Sequence, residues 1–231
     1  MNKQGNTYTF LYASVMVILV AALLAYTSET LKPAQNKNAD IAKKTDILKS
    51  VNIVSTAADA ESKYEQYVKS TYVINSNGEK VEGVDAFSLD LAKEIKKAEA
   101  DRRYPLFECQ TEQGLKYIIP LRGKGLWGPI WGYISLNDDK NTIYGATFDH
   151  KSETPGLGAE INTDAFQSHF KGKTIFSEDG KFVSIRVEKV GQGGEYPNSE
   201  VDAISGGTIT SKGLQAMLLD NLQGYEKFFK N

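Results

Sequence analysis

Apolar residues are distributed along this chain in three distinct patterns. The first is unbroken: YTFLYASVMVILVAALLAY, Tyr8 to Tyr26, is 19 residues without a charge. At about 1.5 Å rise per residue a helix of that length spans nearly 30 Å, the thickness of the hydrocarbon layer of a bilayer. Tyr8, Tyr12 and Tyr26 stand near its ends, where amphipathic rings favour the water–lipid boundary. A cleaved leader normally has a shorter apolar region, and the TSET after Tyr26 is a poor small-residue cleavage site. The pattern predicts an uncleaved transmembrane anchor over residues 1–30.

The second pattern is helical periodicity. LKPAQNKNADIAKK (31–44) is polar, contains Pro33, and reads as a stalk. After it, Ile47, Leu48, Val51 and Val54 recur at helical spacing, which predicts a short amphipathic helix closing a segment 31–60. SLDLAKEIKKAEADRR (88–103) is rich in helix formers and charge and predicts a solvated helix. DAFQSHF (164–170) predicts a short helix. From Thr208 onward, Leu214, Met217, Leu218, Leu222 and Tyr225 form a stripe that predicts a C-terminal helix packed on a sheet.

The third pattern is extended. KYIIPL (116–121), LWGPIWGYISL (126–136) and NTIYGATFDH (141–150) are β-branched and aromatic, separated by Gly or Asn-Asp turns, and predict consecutive antiparallel strands. FVSIRVEKV (182–190) alternates and predicts another. No repeat or low-complexity tract interrupts residues 61–231, so they should form one α+β domain with an antiparallel sheet and packed helices.

Composition removes several functions. Net charge is −2, from 27 basic and 29 acidic residues, so no basic surface argues for nucleic acid. Cys109 is the single cysteine, which rules out an internal disulfide and a thiolate-held metal or iron–sulfur cluster built from this chain alone. His150 and His169 are the two histidines, too few for a multi-histidine metal site. No metal site is expected. By flanking charge, Lys3 before the span against Lys32, Lys37, Lys43 and Lys44 after it, the large domain would lie in the cytoplasm; long domains also translocate regardless of such charge.

Candidate chemistry gathers in three Gly-rich stretches. In AISGGTITSKG (203–213) a Gly-Gly pair precedes the C-terminal helix. A helix start leaves amide groups unpaired and its dipole positive, which suits phosphate, and glycine lets a ligand approach the main chain. Ser205, Thr208, Thr210 and Ser211 add hydroxyls, and Lys212 lies within one turn. Physics alone leaves a plain N-cap turn and an anion site both open. Neither a nucleotide loop nor a hydrolase G-x-S-x-G is present. SETPGLGAEI (152–161) is a tight loop with Glu153 and Thr154 beside it, and GKGLWGPIWG (123–132) sets Trp127 and Trp131 among glycines, either as core or as flanks for a planar ligand.

Together these stretches resemble the covalent FMN-binding domain family. DAISGGT (202–208) is similar to its signature, an Asp followed by Ser/Thr-Gly-Ala-Thr, with Gly207 in place of the usual Ala. ETPGLGAEI (153–161) is similar to its second hallmark, and GKGLW (123–127) resembles the version in the C subunit of Na+-translocating NADH:quinone reductases. The likeness runs from the span to the C-terminal helix. It implies FMN joined through its phosphate to Thr208 by a separate flavin transferase that uses FAD and Mg2+. It further implies contacts from Glu153, Thr154, Leu157, Gly158 and Trp127, beside Ser205, Gly206, Gly207 and Lys212 of the turn, with Asp202 either capping the turn or being read by the transferase, and no catalytic acid or base. The implied role is electron relay during NADH-to-ubiquinone transfer coupled to Na+ export, beside the other subunits, from a periplasmic domain on a single-pass anchor in the bacterial inner membrane. The alternatives are the related G subunit of the Rnf ferredoxin:NAD complex and a tethered module that binds an anion reversibly.

Overall fold

Neighbouring residues of the central strands point into two different cores. Leu106, Ile119 and Ile134 pack on one face of the sheet, and Phe107, Ile118 and Tyr133, each adjacent in sequence, pack on the other. A sheet covered on both faces explains why these strands read as continuous apolar runs. The structure, a computed structural model, describes residues 5–191 and 194–231.

The chain divides into two units, Met1–Lys43 and Lys44–Asn231. Helix α1, Asn6–Ser50, contains Pro33. It is the one helix among the described residues long and apolar enough to cross a membrane, with an 18-residue window of mean hydropathy 2.2 and none of that window buried. The stalk and the short helix expected at 31–54 are thus a single helical element that stops at Ser50. Pro33 removes one amide donor, while the Leu, Ala, Gln and Lys around it sustain the helix. Asn52, at φ 60, then turns the chain, so Val54 leaves the helical register and is 86% exposed. Ile47, Leu48 and Val51 are buried as their spacing predicts.

In the second unit, α2 (Ala60–Tyr67) leads into β1 (Val68–Ile74), β2 (Lys80–Val81), α3 (Leu91–Glu94), β3 (Tyr104–Thr111), β4 (Gly114–Lys124), β5 (Pro129–Leu136) and β6 (Ile143–His150). After α4 (Asp164–Ser168) come β7 (Arg186–Glu188), β8 (Glu200–Asp202), α5 (Thr208–Leu222) and α6 (Glu226–Lys230). Strands β2-β1-β3-β4-β5-β6 form one sheet in that order with every pairing antiparallel, and β7 pairs with β8 in parallel as a separate ribbon. The expected antiparallel run is therefore β4-β5-β6, whereas 182–190 supplies only the three residues of β7. The helix expected at 88–103 is two short pieces, α3 and a 3-10 turn at Glu99–Asp101. Arg102 donates its guanidinium to the carbonyls of Ile95 and Lys97, taking acceptors that a longer helix needs.

Helix α5 is bolted to the far half of β4. Strand β3 accompanies β4 only as far as Phe107↔Ile118, leaving the residues after Ile118 unpaired on that side. The Asn221 side chain serves that edge, donating to Arg122 O (2.9 Å) and accepting from Arg122 N (3.3 Å). Gly213 permits the close approach, because a Cβ there would collide with the Lys124 carbonyl. Leu214, Met217, Leu218 and Leu222, the stripe seen in the sequence, are all buried.

Candidate functional site

The chain leaves β8 at Asp202 and turns into α5 through the Gly-Gly pair. Gly206 has φ +74, the left-handed region that side chains resist, which is why glycine is needed there. Gly207, at φ −99, is the cap residue of α5, and no side chain caps the helix. The turn is held elsewhere: the buried Ser211 hydroxyl accepts from Ile204 N (3.1 Å), and Gly207 N donates to Ile204 O (3.0 Å). Leaving the cap position without a side chain keeps the positive end of the helix open to an anion.

Two hydroxyls in that first turn have opposite surroundings. Residues two apart on an α-helix are separated by about 200°. Thr208 is exposed, whereas Thr210 is 2% exposed and joins the buried stripe. Its hydroxyl donates to Glu153 Oε2 at 2.5 Å.

Glu153 ties the three Gly-rich stretches together. It is 5% exposed, and besides Thr210 its carboxylate accepts from Trp127 N (2.8 Å) in the β4–β5 turn. Its own amide donates to His150 Nδ1 (3.2 Å) at the end of β6. Burial pushes this carboxyl's pKa up, but the Thr210 hydroxyl and the amides of Trp127, Gly128 and Leu126 outweigh burial, and the net shift is downward. The buried group is therefore an anion held by donors. Gly158 lies against this cluster, and a Cβ there would strike both the Thr210 hydroxyl and Glu153 Oε2.

On the three stretches that Glu153 joins, the protein leaves large apolar side chains in solvent. Trp127 is 65% exposed, Ile209 59%, Leu126 43% and Leu157 41%. Leu157 reaches over the turn, with its Cδ2 2.7 Å from where a Gly206 Cβ would sit. Trp131 is instead part of β5 and half-buried. A surface anion site flanked by exposed aromatic and aliphatic groups suits a ligand with a phosphate at one end and a planar apolar ring at the other.

Of the other expected site residues, Ser205 and Gly206 are exposed in the turn, and Asp202 is exposed at the end of β8. Thr154 is exposed, and its carbonyl accepts from Leu157 N and Ala159 N, both at 3.1 Å, shaping the 154–159 loop. Lys212 is directed away along β7, to Val187 O (3.2 Å) and Glu188 Oε2 (3.3 Å). Sequence reasoning overlooked Thr210 as the partner of Glu153 and Ile209 as part of the exposed apolar group. The helical wheel held that information, since Thr210 is four residues before Leu214 on the buried stripe and Thr208 is off it.

Residues 125–223 match the FMN-binding domain family. Among curated relatives, the C subunit of the Na(+)-translocating NADH-quinone reductase from Vibrio vulnificus is 32% identical over 85% of this chain and 83% of its own length. The chain belongs to the C-subunit family of these reductases. The Haemophilus ducreyi member is 27% identical over 92% of this chain and 88% of its own. Among solved structures, the C subunit from Parabacteroides distasonis is 48% identical with a TM-score of 0.81, covering 87% of this chain and 98% of its own. NqrC from Shewanella oneidensis is 26% identical with a TM-score of 0.69, over 85% and 97%. The expected α+β architecture is that of these two structures, and the matched FMN-binding segment begins in the β4–β5 turn and runs through α5, taking in most of all three Gly-rich stretches.

Proposed function

We propose that this chain is the membrane-anchored flavoprotein subunit of a Na+-translocating NADH:quinone reductase. In this reading it carries FMN as a phosphoester on Thr208 and relays electrons within the complex as NADH reduces ubiquinone and Na+ is exported. The observation that carries it is the split between the two threonines of α5: Thr208 is exposed at an uncapped helix start, and Thr210 is buried and spent on Glu153. One hydroxyl is accessible to a transferase and the other is not.

Bound FMN supplies reversible electron transfer at its ring system. The chain's own residues bind and orient it. The α5 start, with Gly206 and Gly207, favours the phosphate through main-chain amides and the helix dipole. Trp127, Leu126, Leu157 and Ile209 offer apolar surface to the ring, and Thr154, Gly158 and Ser205 border it. In this reading the flavin transferase, with Mg2+, breaks the pyrophosphate of FAD, moves the FMN half onto the Thr208 oxygen and releases AMP; Asp202, exposed at the end of β8, is the residue we assign to its recognition. Lys212, one turn into α5, is turned away to Val187 and Glu188, and no phosphate contact is assigned to it. No general acid or base is assigned.

Helix α1 serves as a single-pass anchor in the bacterial inner membrane, with residues 61–231 as the FMN domain in the periplasm beside the other subunits. A reporter fused after Asn231 and active on one side of the membrane tests the orientation. A reversible anion-binding module would release its ligand when unfolded. Full-length protein made with the transferase should instead stay yellow-fluorescent after acid precipitation, and colourless precipitate would reject the covalent link.

A further inference from the structure

We infer that Glu153 is a positioning residue, whose buried carboxylate clamps the first turn of α5 to the β4–β5 turn and so holds Thr208 in fixed register with Trp127. The inference rests on the FMN reading above and concerns how this chain achieves it. Its basis is a relay of short hydrogen bonds: Glu153 Oε2 accepts from Thr210 (2.5 Å) and Oε1 from Trp127 N (2.8 Å). One carboxylate thus joins two elements that are far apart in sequence and carry the two groups a flavin needs. Neither bond is made by Thr208 or by the indole, so Glu153 acts on the site through its neighbours. Gly158 explains how the carboxylate reaches Thr210, since any side chain there would occupy the gap between them. A buried carboxylate stays ionised only where donors surround it, and here they come from both segments being joined. Such a clamp also keeps Thr210's oxygen engaged, leaving Thr208 as the accessible threonine of the turn.

The test uses the full-length chain with Thr210→Val, Thr210→Ser and Glu153→Ala, which removes both acceptor oxygens. In protein produced without transferase, hydrogen exchange of the Trp127 amide should speed up about tenfold or more in Glu153→Ala, as expected when a buried donor loses its partner. With limiting transferase and FAD, initial flavin loading should fall about tenfold or more in Glu153→Ala and Thr210→Val, because misplacing a reacting group by about 1 Å costs on the order of 100-fold. Thr210→Ser, which keeps the hydroxyl, should load within about twofold of wild type, and Thr210→Val should add nothing further in a Glu153→Ala background. If Glu153→Ala does not fold, the near-isosteric Thr210→Val against Thr210→Ser decides. Wild-type loading in Thr210→Val, or equal loss in Thr210→Val and Thr210→Ser, would overturn the clamp. If wild type itself takes no covalent flavin, the FMN reading fails, while the Trp127 exchange rates still decide whether the clamp exists.

Discussion

Thr208 and Thr210 share one turn of helix and face opposite surroundings: the first is open to solvent, and the second is locked to Glu153 on the core side. Chemistry that needs an accessible hydroxyl and packing that needs a buried one are thus met by the same residue type two positions apart.

The two glycines before Thr208 are not equivalent. Gly206 sits at φ +74, with Leu157 Cδ2 2.7 Å from its would-be Cβ, whereas Gly207 sits at an ordinary φ of −99. Gly206→Ala should destabilise the domain by about 1–2 kcal/mol in chemical denaturation, through backbone strain and displaced Leu157. At Gly207 a methyl would lie 3.0 Å from Ile204 Cγ2, 3.2 Å from its Cβ and 3.3 Å from Gly158 N, so Gly207→Ala should cost about 1 kcal/mol through close packing alone, with no backbone strain, and leave flavin loading intact.

Asn221 is the bolt between α5 and β4. Asn221→Leu leaves the Arg122 amide and carbonyl without this partner, and should cost about 1–3 kcal/mol in urea unfolding with an unchanged m-value.

Glu153 should make stability acid-sensitive. Its folded-state pKa lies below the ordinary 4.5, so its ionised form is favoured by folding. The contribution is complete above the unfolded value and is lost as pH falls through the folded one. Urea midpoints measured from pH 7 downward should therefore drop below about pH 4.5, and Glu153→Gln should flatten that part of the profile. Parallel profiles for both proteins would refute the assignment.

Cys109 should be inert until the sheet opens. It is fully buried in β3, and burial pushes its pKa up to about 11, against the opposing influence of Lys69 and Lys116. Maleimide labelling in the native state should be slower than in urea by about a hundredfold or more, so it reports opening of β3.

Much of this architecture was legible in the sequence, and the limits were local. The apolar run, the β4-β5-β6 strands and the stripe of α5 carried their own periodicity. Strand β1 did not register because Lys69, Ser70 and Thr71 make it polar over half its length, and β3 because it carries Pro105 and, being buried over most of its length, lacks the alternation that marks a half-exposed strand. The 88–103 helix is interrupted where the Arg102 side chain folds back onto the carbonyls of Ile95 and Lys97, a local contact that propensity does not register. At the site, the Gly-rich stretches stood out singly, but their convergence did not. Nothing in the composition of ETPGLG says that Glu153 reaches Thr210 57 residues later; that pairing depends on how the β6 loop meets the start of α5.

The central claim is the ester at residue 208, and intact-mass spectrometry of denatured protein tests it most directly. Full-length wild type coproduced with the transferase should gain the mass of one FMN moiety, mapped to the peptide containing Thr208, and Thr208→Ala should show the unmodified mass. Retention of the full increment in Thr208→Ala would contradict the account.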